Sequence, residues 1–410
     1  MNTLLKMAWR NIWRNKRRTF ITTAAIAFAV FFASFQSSLQ KGIWDSMIES
    51  SVNNFFGYAQ IRGDGYTEEQ TLDKAFLLDD QLLYLDRSVE EVEYTVPRLE
   101  SFALASNEES TAGVMVIGVD PEREDEMTQL SAKLVEGRYL EKGETATIIA
   151  AGVAEKLGLT LGDTLVIISQ GYHGVNAAAK YPIVGFLHYG LPDLNKRMVY
   201  LPLAAAQQFY GAENRVTSLT MKIANRRDAP RAVLAINQQL PPEEYEVKSW
   251  EELIPELLEA RQLDQAGNAF VMGLLYLIII FGIFGTILMM TKEREYEFGV
   301  LTAIGMGRAR LFGTVWLETV LLGVLGSVLG ILLSIPLVHY LATNPIDMAV
   351  FGEEAVETYH KFGIEPVFQG AFEWSIFLRQ ALIIFIATSL LALYPLIKII
   401  RLRPVEAMRA

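Results

Sequence analysis

Residues 270–291 read FVMGLLYLIIIFGIFGTILMMT, without one charged side chain. At a helical rise of 1.5 Å per residue this stretch crosses the roughly 30 Å hydrocarbon core of a bilayer. Three other stretches share its character. Residues 19–39, TFITTAAIAFAVFFASFQSSL, are uncharged; residues 311–341 carry one acid, Glu318; residues 376–397 carry one base, Arg379. Between the first two spans in chain order lie 230 residues, 40–269, that read as an ordinary folded domain. The pattern predicts an α-helical membrane protein with four transmembrane helices. An α+β extracytoplasmic domain is inserted between spans 1 and 2.

Composition supports this. Over 410 residues, 51% are hydrophobic and 20% charged, and the mean hydropathy is +0.24. A soluble domain carries about 25% charged residues. The absence of cysteine excludes disulfides, thiolate zinc sites and a cysteine nucleophile. His173, His188, His339 and His360 are scattered, and the net charge of −11 argues against a nucleic-acid partner. Residues 19–39 could instead be a signal peptide, but their apolar run exceeds the roughly 7–15 residues of such segments, which predicts a retained anchor.

Charge orients the spans. Residues 1–18, 292–310 and 398–410 together hold 14 basic and 4 acidic residues, a balance of +10. The 40–269 domain balances at −16 and the 342–375 loop at −5. Short loops rich in Lys and Arg stay cytoplasmic. Both termini and the 292–310 loop are therefore expected inside, with the acidic domain and the 342–375 loop outside.

Within 40–269, short β-branched runs predict strands at 92–96, 112–120, 145–150, 163–169, 181–187 and 218–224. Helices are expected at 152–158, 202–211 and 227–240, and two helical stalks, 41–55 and 249–270, run from and into the flanking spans. Asp120-Pro121 reads as a helix N-cap followed by proline at the first helical position, rather than as part of a calcium loop. No catalytic constellation and no metal site emerge. Ala25, Ala29, Ala33 and Ser37 share one face of span 1, and Gly323, Ser327, Gly330 and Ser334 one face of span 3, with Gly326 and Gly330 as a GxxxG pair. Such faces pack closely, either within the chain or across a dimer seam. Glu318 lies about 10 Å into its helix and is expected to hydrogen-bond a neighbouring helix; Arg379, near the other end of span 4, can snorkel. The phosphate-binding pattern GxxxxGK[ST] is absent, so any ATP would be hydrolysed by another chain.

Several segments resemble one family. TKEREYEFGVLTAIGMGRARLFGTVWLETVLLGVLGSVLG (291–330) resembles the FtsX-like ABC permease signature. MAWRNIWRNKRRTFIT (7–22) looks like its amphipathic elbow helix, and YPLIKIIRLRPVEAMRA (394–410) its P-x-E-A-L-R close, with Met408 in place of Leu. GVDPE (118–122), EGRYLEKGETATIIAAGVAEKLGLTLGDTLVI (136–167) and IVGFLHYGLPDLNKRMVYLPLAAAQQFYG (183–211) resemble MacB-type and LolC/LolE-type periplasmic domains.

The resemblance implies an inner-membrane permease subunit, not itself an enzyme, binding no cofactor and surrounded by membrane lipids. It would work as a homodimer or heterodimer with a cytoplasmic ABC ATPase that consumes the ATP. ATP-driven closure would move the periplasmic domains by mechanotransmission. The layout resembles the lipoprotein-releasing permeases, so lipoprotein release is the leading expectation. Export of peptides, antibiotics or other amphiphiles, or signalling to a cell-wall hydrolase, are the alternatives. A periplasmic lipoprotein chaperone or a membrane-fusion protein would be the downstream partner; the hairpin SQGYHGVNAAAKY (169–181) lacks a recognisable chaperone-hook sequence.

By the same resemblance, 292–310 is the coupling element. Glu293, Glu297 and Val300 lie near one face of a short helix, and Arg294, Phe298 and Leu301 on an adjoining one. The apolar side would seat in the ATPase while charges hold the rim. Gly305 and Gly307 would end the helix. Glu293, Arg294, Glu297, Gly299, Ala303 and Gly305 are the expected ATPase-coupling residues.

Overall fold

The computed structural model describes residues 2–14, 16–107, 110–189, 192–352, 354, 356 and 367–401. The 404–409 close and residues 353, 355 and 357–366 of the 342–375 loop lie outside them. The chain divides into two compact units: Met1–Asp45, Ala260–Asp347 and Val367–Ala410 form one, Ser46–Glu259 and Met348–Pro366 the other.

The first unit is a helical bundle, its helices numbered here α1 (Asn2–Arg14), α2 (Lys16–Ser51), α3 (Pro255–Glu293), α4 (Glu295–Ala303), α5 (Arg308–Thr343), α6 (Trp374–Leu391) and α7 (Tyr394–Arg401). Thr19–Ser51, Pro255–Glu293, Arg308–Thr343 and Trp374–Ile400 are each long and apolar enough to cross a membrane. The stalk segments are helical as expected: α2 runs on past its apolar stretch to Ser51 and ends in a π-turn, Val52–Phe56. The incoming stalk is a short helix, Trp250–Leu253, broken at Ile254 before α3 begins at Pro255.

The small-residue face of α5 is spent inside this chain. A Cβ on Gly326 would stand 2.6 Å from the Ile26 side chain, and one on Gly330 would stand 2.6 Å from the Ala27 carbonyl, both on α2. A Cβ on Gly323 would meet Thr388 of α6 at 2.7 Å. Close backbone approach of this kind is how helices associate where lipid removes the hydrophobic drive. Large apolar side chains such as Phe20, Phe28 and Ile278 remain on the outside of the bundle.

The second unit is built on a mixed sheet. Its strands are β1 (Ala59–Gly63), β2 (Val92–Ser106), β3 (Thr111–Val119), β4 (Leu134–Gly137), β5 (Thr147–Ala150), β6 (Thr164–Gln170), β7 (Asn176–Leu187), β8 (Met198–Pro202), β9 (Ser218–Ile223) and β10 (Tyr245–Ser249). They are ordered β10-β1-β9-β2-β3-β8-β5-β7-β4, while β6 pairs with both β7 and β2. That last pairing closes a ring of six strands, β2-β3-β8-β5-β7-β6. The long strand β2 is the spine: its first half pairs with β9, its last three residues with β6, and Arg98–Ser106 with β3 on the other edge. One apolar cluster fills the ring and a second lies under β1, β9 and β10.

Where β2 changes partners, Arg98 is fully buried. It grips both oxygens of Glu124 at 2.8 and 2.7 Å and donates to the Phe55 carbonyl. Glu124 is presented by the helix Pro121–Thr128, which Asp120 caps as the sequence predicts, accepting from the Glu122 and Arg123 amides.

Candidate functional site

The segment linking α3 to α5 folds on a break and two glycines. Helix α3 stops at Glu293; Arg294 leaves helical geometry (φ −102°, ψ 8°); α4 resumes at Glu295. Its end is closed by Gly305 at φ +97°, a conformation that favours glycine. The Gly305 amide donates to Thr302 O and the Met306 amide to Leu301 O, satisfying carbonyls of the last turn. Gly307 then precedes α5 as its N-cap residue.

The break turns Arg294 inward. Its guanidinium meets Glu318 of α5 at 2.6 Å and Glu297 of α4 at 3.1 Å, and lies over the Phe298 ring. Glu297 in turn accepts two hydrogen bonds from Arg14 at the end of α1, at 2.5 and 2.6 Å. Asn11 of α1 reaches Glu318 at 3.5 Å. Three helices, α1, α4 and α5, and the break after α3 are thus tied by one chain of charges, Arg14–Glu297–Arg294–Glu318. Partial burial opposes ionisation of Glu297, but the hydrogen bonds from Arg14 and Arg294 outweigh it and hold its carboxyl below the usual range. Beneath the ions, Phe298 packs with Leu311, Val315 and Ile399.

The expected coupling residues divide. Glu293, Ala303 and Gly305 are exposed; Arg294 and Gly299 are buried, and Glu297 is half-buried. The charged rim expected of Arg294 is corrected here: with 8% exposure and Glu318 as partner, it anchors the segment from inside. The apolar side of α4, expected to seat in a partner, closes instead on this bundle through Phe298. Bulk at Gly299 would therefore disturb internal packing. What α4 and its C-cap residue offer outward is Tyr296, 57% exposed, and Ile304, 75% exposed, next to Ala303. Sequence reasoning missed these two apolar residues and missed Arg14. The eight-residue spacing of Tyr296 and Ile304 on one helical face was the available signal; Arg14 lies 283 residues from its partner and left none. Glu318 hydrogen-bonds a neighbouring segment, as expected, and its partner is Arg294. Among the described residues no group of three or more His, Asp or Glu gathers to hold a metal.

Residues 19–239 match the MacB-like periplasmic core domain family and residues 269–404 the FtsX-like permease C-terminal family. The chain is 21% identical over 242 residues to the lipoprotein-releasing system transmembrane protein LolC of Neisseria meningitidis, covering 57% of this chain and 58% of that protein. It is 23% identical over 332 residues to LolC of Xylella fastidiosa, covering 76% of each. The periplasmic region of MacB from Actinobacillus actinomycetemcomitans aligns with 52% of this chain and 97% of its own at 12% identity, with a TM-score of 0.36. The two matched families follow one another along the chain as the inserted domain and the last three spans do, and the chain belongs to the FtsX-like ABC transporter permeases that carry a MacB-like periplasmic core domain.

Proposed function

We propose that this permease couples a separate cytoplasmic ATPase to movement of its inserted domain, and so releases lipoproteins from the outer leaflet of the cytoplasmic membrane. The observation that carries the coupling is the exposed Tyr296–Ile304 face of α4, mounted on buried ionic anchors. An apolar tip on a rigid base suits a groove in a partner, because its side chains lose little freedom on docking. The balance of +10 on the termini and the 292–310 loop supports a cytoplasmic position for that tip. Lipoprotein as cargo is supported by the names of the LolC relatives. The two copies of the permease would be identical or two related chains.

The test replaces Ile304 by Asp in the full chain, co-expressed with its cognate ABC ATPase. A central apolar contact carries enough energy that ATPase co-purification should fall about tenfold or more. ATP-dependent release of a labelled lipoprotein from proteoliposomes should fall with it. An Ile304→Asp variant that binds the ATPase and releases lipoprotein like the parent refutes the coupling face. Full coupling with no lipoprotein released by the parent refutes the cargo alone.

A further inference from the structure

A cavity of about 600 Å³ opens within the bundle at the end where the chain leaves for the inserted domain, between α2, α3 and α6. Its floor is a polar clasp across the three helices. The Tyr276 hydroxyl of α3 donates to Gln380 Oε1 of α6, and Gln380 Nε2 donates to Ser37 Oγ of α2 at 2.8 Å. Gln380 is only 2% exposed, so this floor is built rather than incidental.

The charges around it do not balance with depth. At the rim Lys41 is shared by Asp45 at 3.0 Å and Glu373 at 3.3 Å, and Asp264 accepts from Gln40 and Trp44 at 2.8 and 2.6 Å. The rim carboxylates are therefore engaged. Among the described residues Arg261 reaches only Asp45, at 3.9 Å, and its Nε is buried with no hydrogen-bond partner. Arg379 lines the cavity deeper, about 8 Å along α6 from its start at 1.5 Å per residue. Among the described residues it has no hydrogen-bond or ion-pair partner. Its side chain is exposed, so the guanidinium can snorkel to the interfacial level where an anion would meet it.

We propose that this cavity holds the phosphodiester of an anionic phospholipid, with Arg379 and the unpaired edge of Arg261 as its donors. The planar guanidinium offers paired N–H groups that match phosphate oxygens. The location suits a lipid: phosphates lie at the interfacial level where a span begins, while the acyl chains lie along the apolar helices below. A volume of this size accepts a headgroup with its glycerol. The bound lipid would wedge spans 1, 2 and 4 at one end. This proposal requires only that the spans sit in a bilayer and does not depend on the transport reading.

The test uses the purified, delipidated full chain in detergent, with phosphatidylglycerol, phosphatidylcholine and inorganic phosphate as separate probes. Native mass spectrometry reads lipid retention, and thermal unfolding reads stabilisation. The parent should retain phosphatidylglycerol over phosphatidylcholine and be stabilised by it, while excess inorganic phosphate has no effect. Charge-assisted hydrogen bonds should make retention about tenfold weaker in Arg379→Gln, with partial recovery in Arg379→Lys. Arg261→Gln provides a second reading should the first variant not remain monodisperse, and should also weaken retention. Undiminished phosphatidylglycerol retention in whichever of the two Gln variants is monodisperse overturns the proposal. So does stabilisation of the parent by inorganic phosphate equal to that by the lipid, which would make the site one for a soluble anion.

Discussion

The inserted domain and the bundle each bury an arginine against a glutamate, and they do so differently. Arg98 and Glu124 meet through two hydrogen bonds, at 0% and 1% exposure, and Thr128 donates a third to Glu124. Arg294 and Glu318 share a single short contact, at 8% and 4% exposure, and the chain of charges continues through Glu297 to Arg14 at the surface. Burial opposes the charge on Arg98, yet Glu124 overrides it and keeps the guanidinium more firmly protonated than usual. The first arrangement is closed and fixes one geometry at the junction of two apolar clusters. The second is open-ended, so a displacement at α4 alters its energy. A buried pair is weak evidence for stability in itself; its connections decide its use.

The largest expected effect follows from breaking the closed pair. Glu124→Gln removes one of the two carboxylates beside a fully buried cation and leaves only Glu100, at 4.0 Å, so it should cost about 3–5 kcal/mol, seen as early protease sensitivity of residues 46–259 in the full chain. Glu318→Gln should cost less, about 1–3 kcal/mol, because Glu297 remains beside Arg294. Thermal unfolding in detergent measures both variants. If Glu318→Gln proves the costlier, the contrast between closed and open pairs fails. The smallest effect is at the exposed end. The folded-state pKa of Glu297 lies below its usual value of 4.5. Its contribution is therefore fully present above 4.5 and is lost as pH falls through that lower value. The Arg14–Glu297 pair is largely exposed, so Arg14→Gln should remove less than about 1 kcal/mol. It should also flatten this part of the acid limb of stability below pH 4.5. An unchanged acid limb would show that the chain of charges ends at Arg294.

What was legible in the sequence is what short-range pattern controls. Four apolar runs gave the spans, Asp120-Pro121 gave a helix start, and Gly305 gave a helix end. The strand 92–96 was cut short at Pro97, since proline is poorly placed in a central strand. In the fold Pro97 stands one residue before the β3 ladder begins at Arg98, so its missing N–H costs no bond on that edge. Strands β1, β4, β8 and β10 were missed because they alternate weakly: β8 is buried at every position, β4 is almost wholly exposed and β1 buries Gln60. Apart from the local Arg294–Glu297 pair, neither ion network was legible, for the other links join residues 26, 24 and 283 apart and only tertiary packing makes them.

One pairing bears on how the domain can be loaded. The chain enters it at β1 and leaves it at β10, and these strands are antiparallel neighbours in register Ala59↔Ser249 through Gly63↔Tyr245. The Trp250 amide adds a bond to the Tyr58 carbonyl at 3.0 Å just outside the ladder. Entry and exit thus lie at the same end of one two-strand ribbon. Spreading them apart would peel the ribbon one bond at a time, the weakest direction in which a hydrogen-bonded pair can be pulled. Moving them together, along or about a common axis, leaves the bonds between these two strands unstressed. The ribbon therefore acts as a mechanical filter: it tolerates concerted thrust or twist and yields to separation.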